Sequence, residues 1–243
     1  MTAPAFDADR ARTDPAYLDR VNRSLERMDA GQRVQWGLAH LPGRHALTSS
    51  FGAQAAVSLH LVTSLAPDIP VILVDTGYLF PETYRFVDEL VVRLGLNLKV
   101  YQPAMSPAWL ESRHGRLWEQ GADGIDRYNE LRKGEPMQRA LAELDVGSWF
   151  AGLRRQQARS RSGIQPLEYR SGRWKFHPIL DWTDRQVFQY LTNRDLPYHP
   201  LWHRGYVSIG DWHTTRTLAE AGDAEATRFF GLKRECGIHG LEG

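Results

Sequence analysis

Cysteine is nearly absent from this chain: its 243 residues include one, Cys236, close to the C-terminal end. A single cysteine cannot form an intrachain disulfide or a multi-cysteine metal site, and a lone free thiol is typical of a reducing compartment. A His-Glu-x-x-His motif is absent too, and the prolines around His199 and His203 disfavour a helix that would place both on one face. The sequence therefore predicts neither a metal site nor a bound cofactor.

The chain also lacks an excess of charge of one sign and a long apolar run. Its 30 lysines and arginines nearly balance its 29 aspartates and glutamates, which excludes broad electrostatic attraction to nucleic acid or to an anionic membrane. The best apolar stretch, residues 71–80, is interrupted by Asp75 and is far shorter than the roughly 18 residues of a transmembrane helix. Residues 1–14 are polar and unlike a signal peptide. We expect a cytoplasmic protein with no nucleic acid partner and no membrane partner.

The surroundings of Cys236 indicate a reactive thiol. Lys233, Arg234 and His239 favour the thiolate, although Glu235 opposes it. Many free cysteines are buried and inert, but a segment rich in glycine and ionisable residues is a poor core element. A terminal segment is also usually mobile unless it docks on the rest of the chain. We therefore expect a nucleophile on a mobile tail.

Strand and helix patterns alternate in the first half of the chain. Strands are predicted at residues 45–50, 71–74 and 96–101, with helices at 53–65 and 81–94 between them. This order predicts an α/β fold whose parallel sheet has right-handed crossovers.

The second half has weaker periodicity. Helices are predicted at residues 135–144 and 183–192, and strands at 148–151 and 174–179. Residues 197–215 are rich in proline, glycine, tryptophan and histidine, and we expect an ordered loop there.

Polar residues follow the first two predicted strands. Ser49, Ser50 and Gly52 would let backbone amides and hydroxyls approach an anion at a helix N-terminus. Asp75 and Thr76 follow the second strand, and ligands of open parallel sheets bind beyond the carboxyl ends of the strands. Each segment alone is equally compatible with an ordinary turn, but together they favour a nucleotide site.

A third strand end carries a run of cations over residues 154–161, beginning with Arg154 and Arg155. Guanidinium groups match phosphate and sulfate oxygens in pairs, although a solvated charged loop is an equally good interpretation of this spacing. Lys133, Arg216 and Arg228 are further cations whose isolated positions indicate little by themselves.

Several of these segments, taken in order from about residue 30 to the end, resemble the thioredoxin-dependent 3′-phosphoadenylylsulfate (PAPS) reductases of assimilatory sulfate reduction. The Glu-Cys-Gly-Ile-His sequence around Cys236 is the most diagnostic of them. The segments that carry the resemblance are residues 48–52, 74–84, 149–156, 198–202, 205–211 and 228–239.

The resemblance implies a Rossmann-like adenine-nucleotide α-hydrolase fold, with a mostly parallel sheet, helices on both faces and a mobile C-terminal tail. It implies a nucleotide-binding domain over residues 31–215 and a catalytic tail over residues 216–243, and we expect residues 1–30, which precede the resemblance, to form a peripheral helix. It assigns Cys236, Tyr206 and His239 to catalysis. It assigns substrate binding to Ser49, Ser50, Gly52, Asp75, Thr76, Lys133, Arg154, Arg155, Arg216 and Arg228.

The related adenylylsulfate (APS) reductases hold a 4Fe–4S cluster on a Cys-Cys pair and a Cys-x-x-Cys pair. The corresponding positions here read Tyr128-Asn129 and residues 211–214, without a cysteine, so this chain cannot supply four thiolates to a cluster. Within the resemblance, that absence favours PAPS over APS as the substrate. A cluster-free APS reductase remains the alternative.

The chemistry implied is attack of the Cys236 thiolate on the sulfonate sulfur, which forms an S-sulfocysteine and releases adenosine 3′,5′-bisphosphate. Because the chain has no second cysteine, reduced thioredoxin or glutaredoxin would act as electron donor and release sulfite. The resemblance also implies a homodimer.

Two rival hypotheses fit parts of the sequence. An ATP-pyrophosphatase-type enzyme that adenylylates its substrate would share the fold, whereas a non-catalytic nucleotide or nucleic-acid binding module would use the cations of residues 154–161. Neither hypothesis gives a role to Cys236, and the balanced charge disfavours the second.

Overall fold

A computed structural model describes residues 6–232 of the chain and contains one six-stranded sheet with the strand order β3-β2-β1-β4-β6-β5. The strands are β1 (Arg44–Thr48), β2 (Pro70–Val74), β3 (Asn97–Tyr101), β4 (Val146–Ala151), β5 (Leu167–Arg170) and β6 (Arg173–Phe176). The helices are α1 (Ala8–Thr13), α2 (Pro15–Glu26), α3 (Ala30–His40), α4 (Ala56–Thr63), α5 (Pro81–Leu94), α6 (Pro107–His114), α7 (Gly121–Asn129), α8 (Glu135–Glu143), α9 (Asp184–Asn193) and α10 (Leu218–Ala221).

All strand pairs in the sheet are parallel except β5–β6, which is an antiparallel pair at the edge. The chain runs β1-α4-β2-α5-β3 and then returns through α8 to β4 on the other side of β1. The predicted β-α-β-α-β order and the parallel sheet are therefore confirmed. The reversal of strand order beside β1 creates the crevice where ligands of such sheets bind.

The two faces of the sheet bury different helices. Along β2, Val71 and Leu73 belong to a large core that includes residues of α2, α3, α4, α5 and α9. Ile72 and Val74 point to the other face and pack in a smaller core with residues of α8. Because strand side chains alternate between faces, the continuous apolar run of β2 is buried on both sides. The predicted α/β architecture with helices on both faces is confirmed.

Local sequence signals explain several element boundaries. Pro81 begins α5, and Gly95 ends it in the left-handed conformation at φ 62°, where a β-carbon is unfavourable. The Thr183 hydroxyl accepts a hydrogen bond from the backbone N–H of Gln186 and caps α9. β6 ends at Phe176, earlier than the predicted residue 179, because Pro178 has no N–H to donate to a sheet.

Helix α2 is fixed to the sheet by a buried amide. Asn22 donates to the carbonyl of Leu167 at 3.0 Å and accepts from its N–H at 2.8 Å, so one side chain pairs the backbone of β5. Leu25 of the same helix lies in the large core. The N-terminal helices α1 and α2 thus cover the β5 edge.

Within residues 6–232, the longest and most apolar helices still fall short of what a membrane crossing requires. The same residues contain no group of three or more His, Cys, Asp or Glu side chains that could hold a metal ion.

Candidate active site

A cleft of about 350 Å³ lies beyond the carboxyl ends of β1, β2 and β4. Thr48 and Val74 end two of these strands, and Gly152 directly follows the third. The position agrees with the general rule for open parallel sheets, in which loops after the strands build the ligand site. The wall of the cleft is completed by the loop at residues 207–211.

The loop after β1 presents hydroxyl groups and backbone amides to this cleft. Ser49, Ser50 and Gly52 line it, and Phe51 between them is fully buried with a positive φ of 49°. The Ser49 hydroxyl accepts a hydrogen bond from the Phe51 N–H at 3.1 Å, which holds the turn. Helix α4 begins next to the cleft without a side-chain cap, so the positive end of its dipole lies at the site.

The two residues after β2 have different positions. Thr76 lines the cleft, and its hydroxyl donates to Asp211 Oδ1 at 2.5 Å. Asp75 is buried beside it, where its carboxylate accepts from the Gly77 N–H, the Tyr84 hydroxyl and the Gln102 amide. Asp75 therefore shapes the turn after β2 instead of lining the cleft.

The floor of the cleft contains a buried ion pair. Lys133 Nζ lies 2.7 Å from Asp211 Oδ2, and both side chains are almost fully buried. Burial alone would raise the pKa of Asp211, but the Lys133 ammonium and the hydrogen bonds from Lys133 and Thr76 outweigh it and hold that pKa well below its usual range. The pair is thus a carboxylate and an ammonium whose charges cancel.

Arg154 and Arg228 are the other predicted cations that line the cleft. Arg154 donates to Asp184 Oδ1 at 2.8 Å and to Gln54 Oε1 at 2.5 Å. Arg228 is buried against Gly210, where any β-carbon would overlap its guanidinium. Among residues 6–232, no carboxylate forms an ion pair with Arg228, so its positive charge is available to a ligand.

Besides Asp75, three predicted site residues lie away from the lining of this cleft. Arg155 directs its guanidinium to Glu26 Oε1 at 2.7 Å and to the carbonyl of Ile164. Arg216 is exposed, with its guanidinium 4.8 Å from the centre of the Phe230 ring. Tyr206 is half-buried and packs edge-on against Phe80. The predicted catalytic residues Cys236 and His239 lie outside the described residues.

Sequence analysis missed Asp211 as a functional residue, together with Gln54 and Asp184, which hold Arg154. Asp211 occupies one of the positions where APS reductases have a cysteine that holds the 4Fe–4S cluster. Its ion pair with Lys133 depends on tertiary contacts, which no local sequence pattern reveals. The sequence feature that could have marked Asp211 as functional is its position after Gly210 in the loop at residues 205–211.

An aromatic cluster packs beneath the Lys133–Asp211 pair. The rings of Trp118 and His213 stack at 3.7 Å, and the Tyr128 hydroxyl lies 3.3 Å from His213 Nε2. Burial lowers the pKa of His213 to about 4, so this imidazole is neutral at pH 7. The cluster gives the cleft floor a rigid and uncharged support.

Comparisons with known proteins agree with this geometry. Residues 44–217 match the phosphoadenosine phosphosulfate reductase domain. The chain is 67% identical over 227 residues to the phosphoadenosine 5′-phosphosulfate reductase of Alkalilimnicola ehrlichii, covering 93% of each chain. It is 64% identical over 239 residues to the enzyme of that name from Xanthomonas axonopodis pv. citri, covering 98% of this chain and 95% of the relative.

Solved structures give the same result for the fold. The crystal structure of phosphoadenylyl-sulfate reductase from Candida auris, a phosphate complex, superposes with a TM-score of 0.72 at 30% identity and covers 88% of this chain and 100% of the other. FMN adenylyltransferase from Candida glabrata superposes with a TM-score of 0.58 at 14% identity, covering 83% of this chain and 71% of the other. The second likeness concerns the fold alone.

Proposed function

The chain belongs to the phosphoadenosine phosphosulfate reductase family, and from that premise we propose that it reduces PAPS to sulfite and adenosine 3′,5′-bisphosphate through an S-sulfocysteine on Cys236. The observation that supports the proposal most strongly is the position of Arg228. Its guanidinium lines the cleft without a carboxylate partner among residues 6–232, and it belongs to the segment that leads to Cys236.

The cleft is suited to a substrate with several anionic groups. Backbone amides before α4 and the hydroxyls of Ser49 and Ser50 can donate to phosphate oxygens. Arg228 supplies a full positive charge, and Lys133 lies beside it on the floor. The adenosine would occupy the part of the cleft over the ends of β1 and β2, as ligands of this fold class do.

The first chemical step is nucleophilic substitution at sulfur. The Cys236 thiolate attacks the sulfonate sulfur, a bond from Sγ to that sulfur forms, and the sulfur–oxygen bond to adenosine 3′,5′-bisphosphate breaks. The leaving group carries away the electron pair as additional phosphate charge. Arg228 and the amides before α4 would stabilise that charge as it develops.

The second step needs a dithiol, because the chain has no second cysteine. A thiolate of reduced thioredoxin or glutaredoxin attacks Cys236 Sγ, the bond to the sulfonate sulfur breaks, and sulfite leaves with the electron pair. The second thiol of the donor then attacks the mixed disulfide and releases Cys236 as a thiol. Two electrons from the dithiol thus reduce the sulfonate sulfur to sulfite.

Chain geometry is compatible with delivery of Cys236 to the cleft. Cys236 follows Leu232, the last described residue, by four residues, and four residues span at most about 14 Å. Arg228 is held at the cleft by an antiparallel bridge to Thr215, so the connection starts at the site. A homodimer in the cytoplasm completes the proposal, and light scattering of the purified protein tests the dimer.

Trapping the covalent species tests the thiol chemistry. Fully reduced protein is incubated with PAPS and without a dithiol, and intact-protein mass spectrometry is expected to record the addition of one SO₃ group. Peptide mapping is expected to place it on Cys236, and thioredoxin to remove it with release of sulfite. The Cys236→Ser variant should bind adenosine 3′,5′-bisphosphate like the unmodified protein and gain no mass.

Two results would contradict the mechanism. One is substantial sulfite formation by Cys236→Ser, which would remove the thiol from the reaction. The other is SO₃ addition to a residue other than Cys236 in the unmodified protein. Release of pyrophosphate from ATP with no adduct from PAPS would instead favour an adenylylating enzyme.

A further inference from the structure

Two of the cations that line the cleft, Lys133 and Arg228, share one aromatic neighbour. The centre of the Phe229 ring lies 5.0 Å from Lys133 Nζ and 5.5 Å from the Arg228 guanidinium carbon. Distances below about 6 Å between a cation and a ring centre allow cation–π attraction, which strengthens when the groups are desolvated. Phe229 is fully buried and both cations are nearly so, which satisfies that condition.

Three groups lie against the Lys133 ammonium. Asp211 faces its ammonium at 2.7 Å, while the Tyr128 ring lies 5.3 Å away and the Phe229 ring 5.0 Å away. Tyr128 and Asp211 come from the body of the fold, whereas Phe229 belongs to the C-terminal segment. The position of Lys133 therefore depends on where that segment seats its ring.

The backbone at Phe229 is held in an unfavourable conformation. Phe229, Phe230 and Gly231 have consecutive positive φ angles of 46°, 58° and 81°, and two of the three residues are aromatic. Non-glycine residues rarely adopt this region, so surrounding contacts must hold the turn. Those contacts include the bridge from Thr215 to Arg228, the bond from the Gly231 N–H to the Arg228 carbonyl at 3.0 Å, and the buried Phe229 ring.

We propose that Phe229 is a positioning residue of the anion site: its ring fixes the spacing of Lys133 and Arg228 and so sets how tightly the cleft binds the phosphate groups of its ligand. The inference rests on the proposed function for the identity of that ligand. It extends that function by tying the anion site to the segment that leads to Cys236, since Phe229 precedes Cys236 by seven residues.

Calorimetric binding of adenosine 3′,5′-bisphosphate to reduced protein tests the proposal, because this ligand requires no thiol chemistry. Phe229→Leu keeps an apolar side chain but removes the ring, and we expect about three- to tenfold weaker binding. The matched control is Phe176→Leu, which removes a fully buried ring that packs against Trp36 and Phe150 in the large core, away from the cleft lining, and should keep the wild-type affinity. Thermal unfolding of both variants separates a loss of affinity from a loss of stability.

A series of fluorinated phenylalanines at position 229 tests the same role without the risk that Phe229→Leu folds poorly. Replacing Phe229 with phenylalanines that carry one, two and three fluorines preserves its shape and weakens the negative face of the ring in steps. Affinity for adenosine 3′,5′-bisphosphate is expected to fall with each fluorine, and equal affinity across the series and in Phe229→Leu would overturn the proposal.

The sulfite assay on unmodified protein keeps this result separate from the proposed function. Normal sulfite release with unchanged binding in Phe229→Leu contradicts the positioning role alone. Weaker binding in Phe229→Leu without any sulfite from the unmodified protein supports the positioning role and contradicts the proposed reaction.

Discussion

The buried cations of this protein differ in the groups that face them. Arg33 is 1% exposed and forms an ion pair with Asp181 at 2.7 Å, Arg132 donates to the carbonyls of Met105 and Thr76, and Lys133 faces Asp211. Burying a charge without such a partner costs several kcal/mol of desolvation free energy, and these contacts offset that cost. Among residues 6–232, Arg228 has no carboxylate partner and its buried Nε has no hydrogen-bond partner, which indicates that a ligand completes it.

Exchange of Arg228 tests this interpretation at the residue scale. Arg228→Ala should weaken binding of adenosine 3′,5′-bisphosphate by tenfold or more, because a charge-assisted hydrogen bond in a desolvated site contributes about 1.5–3 kcal/mol. Arg155→Ala is the matched control, since Arg155 binds Glu26 and lies off the cleft lining. Calorimetry gives both affinities. Equal losses in the two variants would contradict the assignment of Arg228.

Asp211 gives a second residue-scale prediction, about stability and pH. Asp211→Asn should lower the free energy of unfolding at pH 7 by about 3–5 kcal/mol, because it leaves the buried Lys133 ammonium without its counter-charge. The folded-state pKa of Asp211 is held far below its unfolded value of about 3.9. Its contribution is therefore full above about pH 5 and is lost as the pH falls below about 4.

Urea unfolding between pH 7 and pH 3 measures this effect. The unmodified protein should lose stability over that range, and Asp211→Asn should lose less of it, because the titrating carboxylate is gone. Asp184→Asn is the control, since it removes an exposed carboxylate from the Arg154 pair and leaves Lys133 untouched. The same slope in Asp211→Asn and the unmodified protein would show that Asp211 is not the titrating group.

At the scale of elements, the loop at residues 197–215 is held by a buried histidine. His199 Nδ1 accepts a hydrogen bond from the Leu201 N–H at 3.1 Å, so Nε2 carries the proton and donates to Thr83 Oγ1 of α5 at 3.0 Å. The ring also packs on Phe86 of the same helix. His199 thus joins the loop that completes the cleft wall to α5.

The pH dependence of this contact follows from its burial. Desolvation lowers the pKa of His199 to about 4, so protonation favours the unfolded state, where the value is about 6.5. The contribution of neutral His199 to the free energy of unfolding is therefore fully present above about pH 6.5. It falls by roughly 3 kcal/mol as the pH drops to 4. His199→Asn keeps an acceptor for Leu201 and should flatten the decline between pH 7 and pH 5.

Chemical unfolding at several pH values in that range checks the prediction. His203→Asn changes an exposed histidine in the same loop and should keep the wild-type slope. An unchanged slope in His199→Asn would mean that another buried group, such as His213, controls the acid response.

Sequence signals predicted the elements that have clear starts and ends. The helix over residues 81–94 was predicted to the residue, because proline and glycine mark its two ends. Helix α3 begins at Ala30, where the capping box of Asp29 and Gln32 marks its start, although no helix start was predicted at that residue. The short helices α6 and α7 and strand β5 were missed, because segments of four to nine residues carry too little periodicity without their tertiary partners.

At the scale of the whole molecule, the topology brings distant strand ends to one cleft. Ser49, Thr76 and Arg154 follow three different strands, and the parallel sheet places all three on the same lining. That convergence could be predicted from sequence, because the carboxyl ends of parallel strands share an edge. The direction of Arg155 could not, because a run of cations without periodicity does not indicate which side chains turn inward.

The release of sulfite by the purified protein is the decisive test of the proposed reaction. Purified protein is incubated with reduced thioredoxin and with PAPS or APS in parallel, and sulfite is measured over time. We expect sulfite from PAPS, little from APS, and none from Cys236→Ser with either substrate. Sulfite from APS in preference to PAPS would overturn the substrate assignment, and no sulfite from either nucleotide would contradict the proposed function.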